Sequence, residues 1–436
     1  MTKNTSAPPP SMETMTQEQL DALASLHERF LTGRLGGRRA TLKNVDIKGL
    51  SLKGRDMRQA NFMGCNLTHM DLSGCNFQEA SLYASDLSYS NLNNAIFIRA
   101  DLRGARIENA SLQDANMEKA DLRVGGFASG AEGYDKGQAV TFRGANLSGA
   151  KLNGTTASKA DFSDAILAGA NMVGADLSGA QMGGADLSGV DVEGARLEGA
   201  NLNDAILTGI AMRQLKDAGA DVTEAITDEN VGTSISDFED PLPTLIEQHR
   251  GWVESAGQNG KQLDLSNVDM RTVGSLKLEK LTAIRAVNTK FFGMNLYKIQ
   301  IQSAVLDKSD FRNCDLEGSD MRGSSFAGAN FSHAKMRGAD CSALLFGGGS
   351  GTKRFNPCNF KNATLRYTDL SGSKLKGANF QGADLSYVDL TNADLREADF
   401  TGAQMARAKM DGALTEGTIF DKKEKPVFQL REKADD

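Results

Sequence analysis

The chain has 436 residues, enough for two or three domains and a sizeable core. Its net charge is −7, and 46 Gly, 7 Pro and a single Trp favour an interior of small and aliphatic side chains. It lacks a run of about 18 apolar residues, and its start lacks a basic flank followed by an apolar core. We therefore expect no membrane span and no secretory signal, and predict a cytoplasmic protein.

After a disordered tail predicted for residues 1–18, the first element is a short helical segment. Leu20, Leu23, His27, Phe30 and Leu31 fall on one side of a helix. The segment 20–47 is similar to the segment 242–270, and the two pair as His27 with His249 and Phe30 with Trp252. We interpret both segments as helical caps over the edge of a repeat structure. The two histidines are assigned to the caps rather than to a metal or to acid–base chemistry.

A five-residue period follows each cap. Large apolar residues recur every fifth position from Leu42 to Met212 and again from Leu265 to Phe420, with a slip of one residue near Leu276. Between Ala145 and Ala205 the residue two places before each is almost always Ala, as in Ala175, Ala180 and Ala185, and only Thr155 and Val190 depart. Neither the helical period of 3.6 nor the strand period of 2 produces this spacing. Two inward residues in every five predict a narrow, closely packed interior.

A twenty-residue period is nested inside the first. If four five-residue sides close one turn of a coil, residues twenty apart lie directly above one another. Phenylalanines at this spacing should then form stacked columns in the core: Phe291, Phe311 and Phe331, and Phe360, Phe380, Phe400 and Phe420.

The repeats resemble the pentapeptide-repeat family, whose motif is A(D/N)Lxx. Ala120-Asp121-Leu122, Ala145-Asn146-Leu147 and Ala393-Asp394-Leu395 match it literally. The resemblance covers roughly residues 40–212 and 263–420, and comparable helical segments precede the repeats in other members of the family. It implies a mainly β fold, a right-handed quadrilateral β-helix, here as two tandem rods with short capping helices. Local departures from the motif are Arg55, Ala157 and Ser275.

Each run is interrupted at nearly the same distance from its cap. We predict loops at 123–141 and 345–358 and place the candidate partner-binding residues there: Phe127, Tyr134, Lys136, Lys353, Arg354 and Phe355. Such loops on a scaffold are common recognition sites, although a tolerated insertion stays open. A phosphate-binding loop at 347–354 is disfavoured, because Thr352 stands where GxxxxGK[ST] requires Gly and Arg354 follows Lys353.

The predicted domains are the first cap with the first β-helix at 19–212, an acidic linker at 213–241, the second cap with its β-helix at 242–420, and a charged tail at 421–436. Residues 161–241 hold 16 acidic and 3 basic residues. The linker is polar and lacks the period, which is typical of a flexible connection.

The five cysteines predict neither disulfides nor a metal site. Cys65, Cys75, Cys314 and Cys358 occupy the small inward position, and Cys341 occupies a large one. Their number is odd and no CxxC occurs. We interpret them as small core residues and expect no cofactor.

The pattern bears on three classes of function. Catalysis is disfavoured because the repeat accounts for the polar residues and leaves no nucleophile, acid–base or metal cluster. The leading interpretation is a non-enzymatic scaffold that presents a β-helical surface and two loops to a protein partner. The alternative, taken from the family resemblance, is a DNA-mimicking modulator of a type II topoisomerase. Direct nucleic-acid binding is disfavoured, since no basic stripe with interleaved aromatics is present. A homodimer and export as an effector stay open.

Overall fold

The computed structural model describes residues 12–125, 137–229, 231–346 and 354–421. The chain divides into two compact units, Met1–Asn230 and Val231–Asp436. The helices are α1 (Gln17–Leu31), α2 (Met212–Asp217) and α3 (Leu242–Glu254), with 3-10 helices at Ile235–Asp237 and Arg271–Val273. The strands are β1 (Glu13–Thr14), β2 (Thr41–Lys43), β3 (Val45–Asp46), β4 (Asn61–Met63), β5 (Thr233–Ser234), β6 (Val268–Asp269), β7 (Leu344–Phe346) and β8 (Arg354–Asn356). Parallel pairs join β1 with β3, β2 with β4 and β5 with β6, whereas β7 and β8 pair antiparallel.

Parallel bridges between residues twenty apart build most of each unit. Asp71 bridges Asn91, and Asn91 bridges Ser111, one turn of the coil further along. The hydrogen bonds have ordinary lengths: the Leu72 N–H donates to the Asn91 carbonyl at 2.8 Å, and the Asn91 N–H donates to the Met70 carbonyl at 2.9 Å. Four five-residue repeats therefore form each turn of a β-helical solenoid, as the nested period predicts.

The large and small inward positions form one core in each unit. Ala175, Ala180 and Ala185 are fully buried. Phe291, Phe311 and Phe331 stack with ring centroids 4.9 and 4.7 Å apart. The second column contains five rings at successive separations of 5.2, 5.0, 4.8 and 5.3 Å: Phe326, Phe360, Phe380, Phe400 and Phe420. The sequence pattern missed Phe326 because the insertion lies between it and Phe360 and breaks the spacing of twenty.

The Asp or Asn of the motif stabilises the turn that follows it. The Asp71 carboxylate accepts the backbone N–H of Ser73 at 3.1 Å, and the Asn116 amide oxygen accepts that of Glu118 at 3.1 Å. This side-chain bond two residues along the chain is the usual Asx turn. It explains physically why the second motif position is Asp or Asn.

The three motif departures have local explanations. Arg55 ion-pairs with Asp21 and Glu28 of α1 at 3.5 and 3.2 Å, so the small inward position next to the cap becomes a polar contact. Ala157 occupies a large position and is nevertheless fully buried. Ser275 marks the point at which the slip ends, because it bridges Asn295 at the regular spacing of twenty. The bridge before it, between residues 269 and 290, is one position longer.

Residues 213–229 differ from the linker predicted there. Asp221 bridges Asn201 and Ile226 bridges Ile206, so the coil extends beyond residue 212. The helix α2 replaces repeats without changing the spacing of twenty, and its Leu215 is 1% exposed in the core of the first unit. The sequence pattern missed this turn because α2 offers a single buried apolar side chain among polar neighbours.

Candidate functional site

The two interruptions begin and end as antiparallel backbone pairs. Gly125 and Gln138 exchange both backbone hydrogen bonds, at 2.9 and 2.6 Å, and β7 pairs with β8 through three residue pairs. The coil resumes its parallel pairing across each insertion, where Ser111 bridges Asn146 and Ser325 bridges Asn359. Each insertion therefore has the antiparallel base of a hairpin on an otherwise regular coil, and we call the two inserted segments hairpins on that ground.

Each hairpin base lies directly over a turn glycine of the coil. Gly323 has a φ of +65°, and a Cβ added there would lie 2.7 Å from the Leu344 Cβ. Gly104 has a φ of +67°, and its added Cβ would lie 2.8 Å from the Gly125 carbonyl oxygen. Asn356 also donates its side-chain amide to the Gly323 carbonyl at 2.6 Å. The coil thus holds both hairpin bases closely in place.

The second hairpin exposes an apolar pair to solvent. Leu345 and Phe355 are directly opposite each other in the register of β7 and β8. Their side chains are 48% and 71% exposed. Most other large apolar side chains of the unit lie in its core, so this pair is a candidate contact surface.

The structure describes only two of the six predicted partner-binding residues, Arg354 and Phe355. Phe127, Tyr134, Lys136 and Lys353 lie outside the described residues. Arg354 is the first residue of β8. Phe355 is therefore the predicted loop residue whose exposed side chain supports a contact surface.

The helical caps are bound to the coil through their histidines. Both rings are fully buried. Nδ1 of His27 accepts the Ala40 N–H at 3.0 Å, so Nε2 carries the proton and donates to the Arg58 carbonyl at 3.0 Å. His249 repeats this arrangement with the Leu263 N–H at 3.1 Å and the Thr282 carbonyl at 3.0 Å.

An aromatic ring stacks on each of these histidines. Phe30 lies over His27 at a centroid separation of 5.9 Å, and Trp252 lies over His249 at 5.8 Å. Phe30 is nevertheless 40% exposed and Trp252 is half-buried. Both histidines join a capping helix to the coil. Each of their ring nitrogens already has a backbone hydrogen-bond partner, so the two residues have a structural role.

These histidines predict a pH-dependent stability. Burial lowers the pKa of both rings below the ordinary value, and protonation of Nδ1 would break a backbone hydrogen bond. A lowered folded-state pKa means that the unfolded chain binds protons first. The stabilisation is complete above the unfolded pKa of about 6.5 and is lost as the pH falls.

We expect the free energy of unfolding, measured by urea titration, to decrease from about pH 7.5 to about pH 5.5. The double variant His27→Gln and His249→Gln should be less stable at the higher pH but should show a flatter pH dependence over this interval. An equal slope in both proteins would mean that other groups cause it.

The five cysteines are buried free thiols. Cys314 donates its thiol to the Phe291 carbonyl at 3.1 Å, and Ser85, at the same kind of position, donates to the Phe62 carbonyl at 2.7 Å. Burial raises the pKa of Cys75 to about 12. Within the described part of the chain, no group of three or more His, Cys, Asp and Glu side chains is arranged to hold a metal ion.

Aspartates of the acidic stretch lie in four different columns of the coil. Asp161 bridges Gln181, Asp176 bridges Arg196, and Asp186 bridges Ile206, while Asp191 belongs to the column of Asn171. Asp161 is ion-paired with Arg143 at 2.7 Å, and Asp176 is ion-paired with Arg196 at 3.8 Å. The negative charge is therefore dispersed around the coil and partly neutralised.

No helix in the described ranges combines the length and the apolar character that a membrane crossing requires. No curated protein sequence matches the chain.

Solved structures with detectable likeness to the chain include several repeat proteins. The fluoroquinolone resistance protein QnrB1 is 20% identical over 50% of this chain and 89% of its own, with a TM-score of 0.26. HetL, from the cyanobacterium Nostoc and involved in heterocyst differentiation regulation, is 18% identical over 93% of this chain and 100% of its own, with a TM-score of 0.19. A protein from the Arabidopsis thaliana thylakoid lumen is 23% identical over 37% and 83%, with a TM-score of 0.18. TM-scores this low carry no argument about binding.

The sequence profile of the pentapeptide repeats matches the chain eight times, at residues 40–79, 60–97, 85–123, 142–182, 180–214, 304–340, 354–382 and 378–414. These ranges cover more than half of the 436 residues and fall on the bridged coils described above. The chain belongs to the pentapeptide-repeat family.

Proposed function

We propose that the protein is a non-enzymatic scaffold for protein–protein interaction, in which each unit is a right-handed quadrilateral β-helix and the inserted hairpins make the specific contacts. The exposed Leu345–Phe355 pair is the observation that supports this most strongly. Hairpins of this kind, seated on a regular coil, present side chains at fixed positions without requiring catalytic groups.

The exposed Phe355 ring favours binding energetically. Complete burial of an exposed Leu or Phe side chain by a partner lowers the free energy by about 1.5–3 kcal/mol. Aromatic residues are also enriched among those that dominate binding interfaces. Phe355, at 71% exposure, stands opposite Leu345 rather than alone, so both can enter one pocket.

The double variant Leu345→Ser and Phe355→Ser tests this proposal. We expect it to fold like the parent protein and to recover at least about tenfold less of a specific partner in affinity purification with quantitative mass spectrometry, a loss in the range of interface hot spots. Leu278→Ser is the matched control, because Leu278 is 57% exposed on the coil of the same unit and lies outside the hairpin. Equal partner recovery by all three proteins would contradict the proposal.

The alternative function, DNA-like inhibition or protection of a type II topoisomerase, requires acidic side chains concentrated along one side. The four-column arrangement of Asp161, Asp176, Asp186 and Asp191 does not favour it. A gyrase supercoiling assay tests this alternative directly, since a DNA mimic should change the rate at micromolar protein.

A further inference from the structure

The connection between α1 and the first coil projects a leucine into solvent. We call residues 32–39 the cap loop; its Leu35 is 93% exposed, the highest exposure of any large apolar side chain in the described ranges. Three glycines surround this leucine in the sequence, Gly33, Gly36 and Gly37. They leave the tip of the loop narrow.

The loop backbone is held in one conformation by hydrogen bonds to α1. The Arg34 N–H donates to the Arg29 carbonyl at 2.9 Å, and the Arg38 N–H donates to the Leu26 carbonyl at 3.0 Å. Gly37 lies so close to the helix that an added Cβ would be 2.4 Å from the Phe30 nitrogen. Leu35 is therefore presented on an ordered, convex tip.

Four arginines around this tip lack carboxylate partners. Arg29, Arg34, Arg38 and Arg39 form no ion pair with any residue in the described ranges. Arg29 and Arg39 donate instead to backbone carbonyls, those of Leu35 and Gln59, which leaves their charge uncompensated.

Ion pairing is the usual state of arginines elsewhere in the described ranges. Seventeen other arginines pair with a carboxylate: Arg55, Arg58, Arg99, Arg103, Arg106, Arg123, Arg143, Arg196, Arg213, Arg250, Arg271, Arg285, Arg312, Arg322, Arg337, Arg366 and Arg396. Guanidinium groups along the coils are thus largely neutralised, whereas those of the cap loop keep their full charge for a ligand.

The second cap shows that capping does not require this chemistry. Residues 255–262, SAGQNGKQ, connect α3 to Leu263 with the same number of residues as the cap loop. The residue directly after each helix has nearly the same backbone conformation, with φ −95° at Thr32 and −89° at Ser255. This second loop has no arginine and no large apolar residue, yet its histidine makes the same two bonds to the coil. Arg39 has a counterpart in Gln262, since both donate from the residue before the capped N–H to a carbonyl of the coil, those of Gln59 and Ala283. Leu35 and the side chains of Arg34 and Arg38 have no such counterpart, so they serve a purpose other than capping.

We propose that the cap loop docks the protein reversibly on an anionic lipid surface, with Leu35 inserted below the headgroups and the arginines bound to lipid phosphates. Residues 29–39 contain four arginines and no acidic residue, although the whole chain has a net charge of −7. Because charges are screened beyond about 8 Å at physiological salt, the local excess decides the interaction. Basic clusters of this size beside an apolar anchor are typical of peripheral membrane binding.

The chemistry of the loop favours a lipid surface over a nucleic acid. An apolar tip with cations behind it matches the layers of a membrane, in which hydrocarbon lies beneath the phosphates. A nucleic acid would use the arginines but has no apolar layer for Leu35.

Vesicle sedimentation of the full-length protein tests this proposal. We expect at least about tenfold stronger binding to phosphatidylcholine vesicles that contain phosphatidylglycerol than to pure phosphatidylcholine vesicles, with the difference lost at high salt. The decisive variant replaces Thr32–Arg39 by the eight residues SAGQNGKQ of the second cap. It should keep the parent melting temperature and bind both vesicles equally weakly.

Separate variants distinguish the contribution of Leu35 to vesicle binding from that of the arginines. Leu35→Ser and the triple change Arg34→Gln, Arg38→Gln and Arg39→Gln should each reduce binding severalfold. Leu278→Ser, and the triple control Lys308→Gln, Lys335→Gln and Lys361→Gln on lysines of the coil surface, should leave it unchanged.

Full binding by the grafted variant would overturn the proposal. The proposal would also be overturned if Leu35→Ser bound anionic vesicles as strongly as the parent and both proteins bound duplex DNA equally well. That result would identify a site for polyanions in general. These outcomes are independent of the hairpin variants that test the scaffold function.

Discussion

Replacing Phe360 by Ala should lower the free energy of unfolding by about 3–5 kcal/mol in urea titrations of the full-length protein. The ring is fully buried and stacks between Phe326 at 5.2 Å and Phe380 at 5.0 Å. It also meets Phe331 edge-on at 5.7 Å. Since the backbone of each turn is bonded to the turns above and below, the coil has little freedom to close the cavity.

Phe420 provides the control from the same column. It stacks on Phe400 at 5.3 Å but is half-buried, and it is the last ring of the column. Phe420→Ala should therefore cost about 1 kcal/mol. Similar losses at both positions would show that the column does not confer stability through burial.

Ala180→Leu should destabilise the first unit by about 3 kcal/mol, the upper part of the range for overpacked cores. Ala180 is fully buried between Ala160 and Ala200, which lie one turn before and one turn after it. The Gln181 N–H donates to the Ala160 carbonyl and the Asn201 N–H donates to the Ala180 carbonyl, both at 2.9 Å. These bonds fix the turns at the strand spacing of about 4.8 Å, which leaves room for a methyl group and not for a branched side chain.

Gln181→Leu is the matched control for Ala180→Leu. Gln181 is exposed on the outside of the coil, so the change should alter stability by no more than about 0.5 kcal/mol. Thermal melts of the two variants separate the inward and outward positions, and a larger loss for Gln181→Leu would reverse that assignment.

The coils were predictable from the sequence because one spacing rule repeats without help from distant contacts. The inward position of Ala180 and the stacking of Phe360 on Phe380 follow from periods of five and twenty. Features that interrupt the period were not predictable in the same way. Phe326 belongs to the column of Phe360, but only the pairing across the insertion reveals it. The turn at Asp221 was missed because α2 fills part of the coil with a polar sequence.

The candidate surfaces were less predictable than the coils. The position of the insertions followed from the lost period, whereas their hairpin bases depend on antiparallel pairing such as Gly125 with Gln138. The exposure of Phe355 follows from its place in β8. The cap loop was missed because the sequence does not show which arginines lack the carboxylate partners that Arg58 and Arg103 have.

The most direct test of the scaffold proposal removes both hairpins while keeping the coils. Deletion of 124–138 and 344–357 restores the spacing of twenty in each unit, because Ser111 and Asn146 would then stand twenty apart, as would Ser325 and Asn359. Ala139 and Ala343 would occupy the turn position, where Ala84 already adopts a positive φ of 54°. We therefore expect the deleted protein to fold.

Affinity purification with quantitative mass spectrometry should be carried out with the intact and the doubly deleted protein, after their melting temperatures have been shown to agree. We predict that the intact protein recovers a specific partner and that the deleted protein loses it. Recovery of the same partner in the same amount by both proteins would place binding on the coil surface and contradict the scaffold proposal.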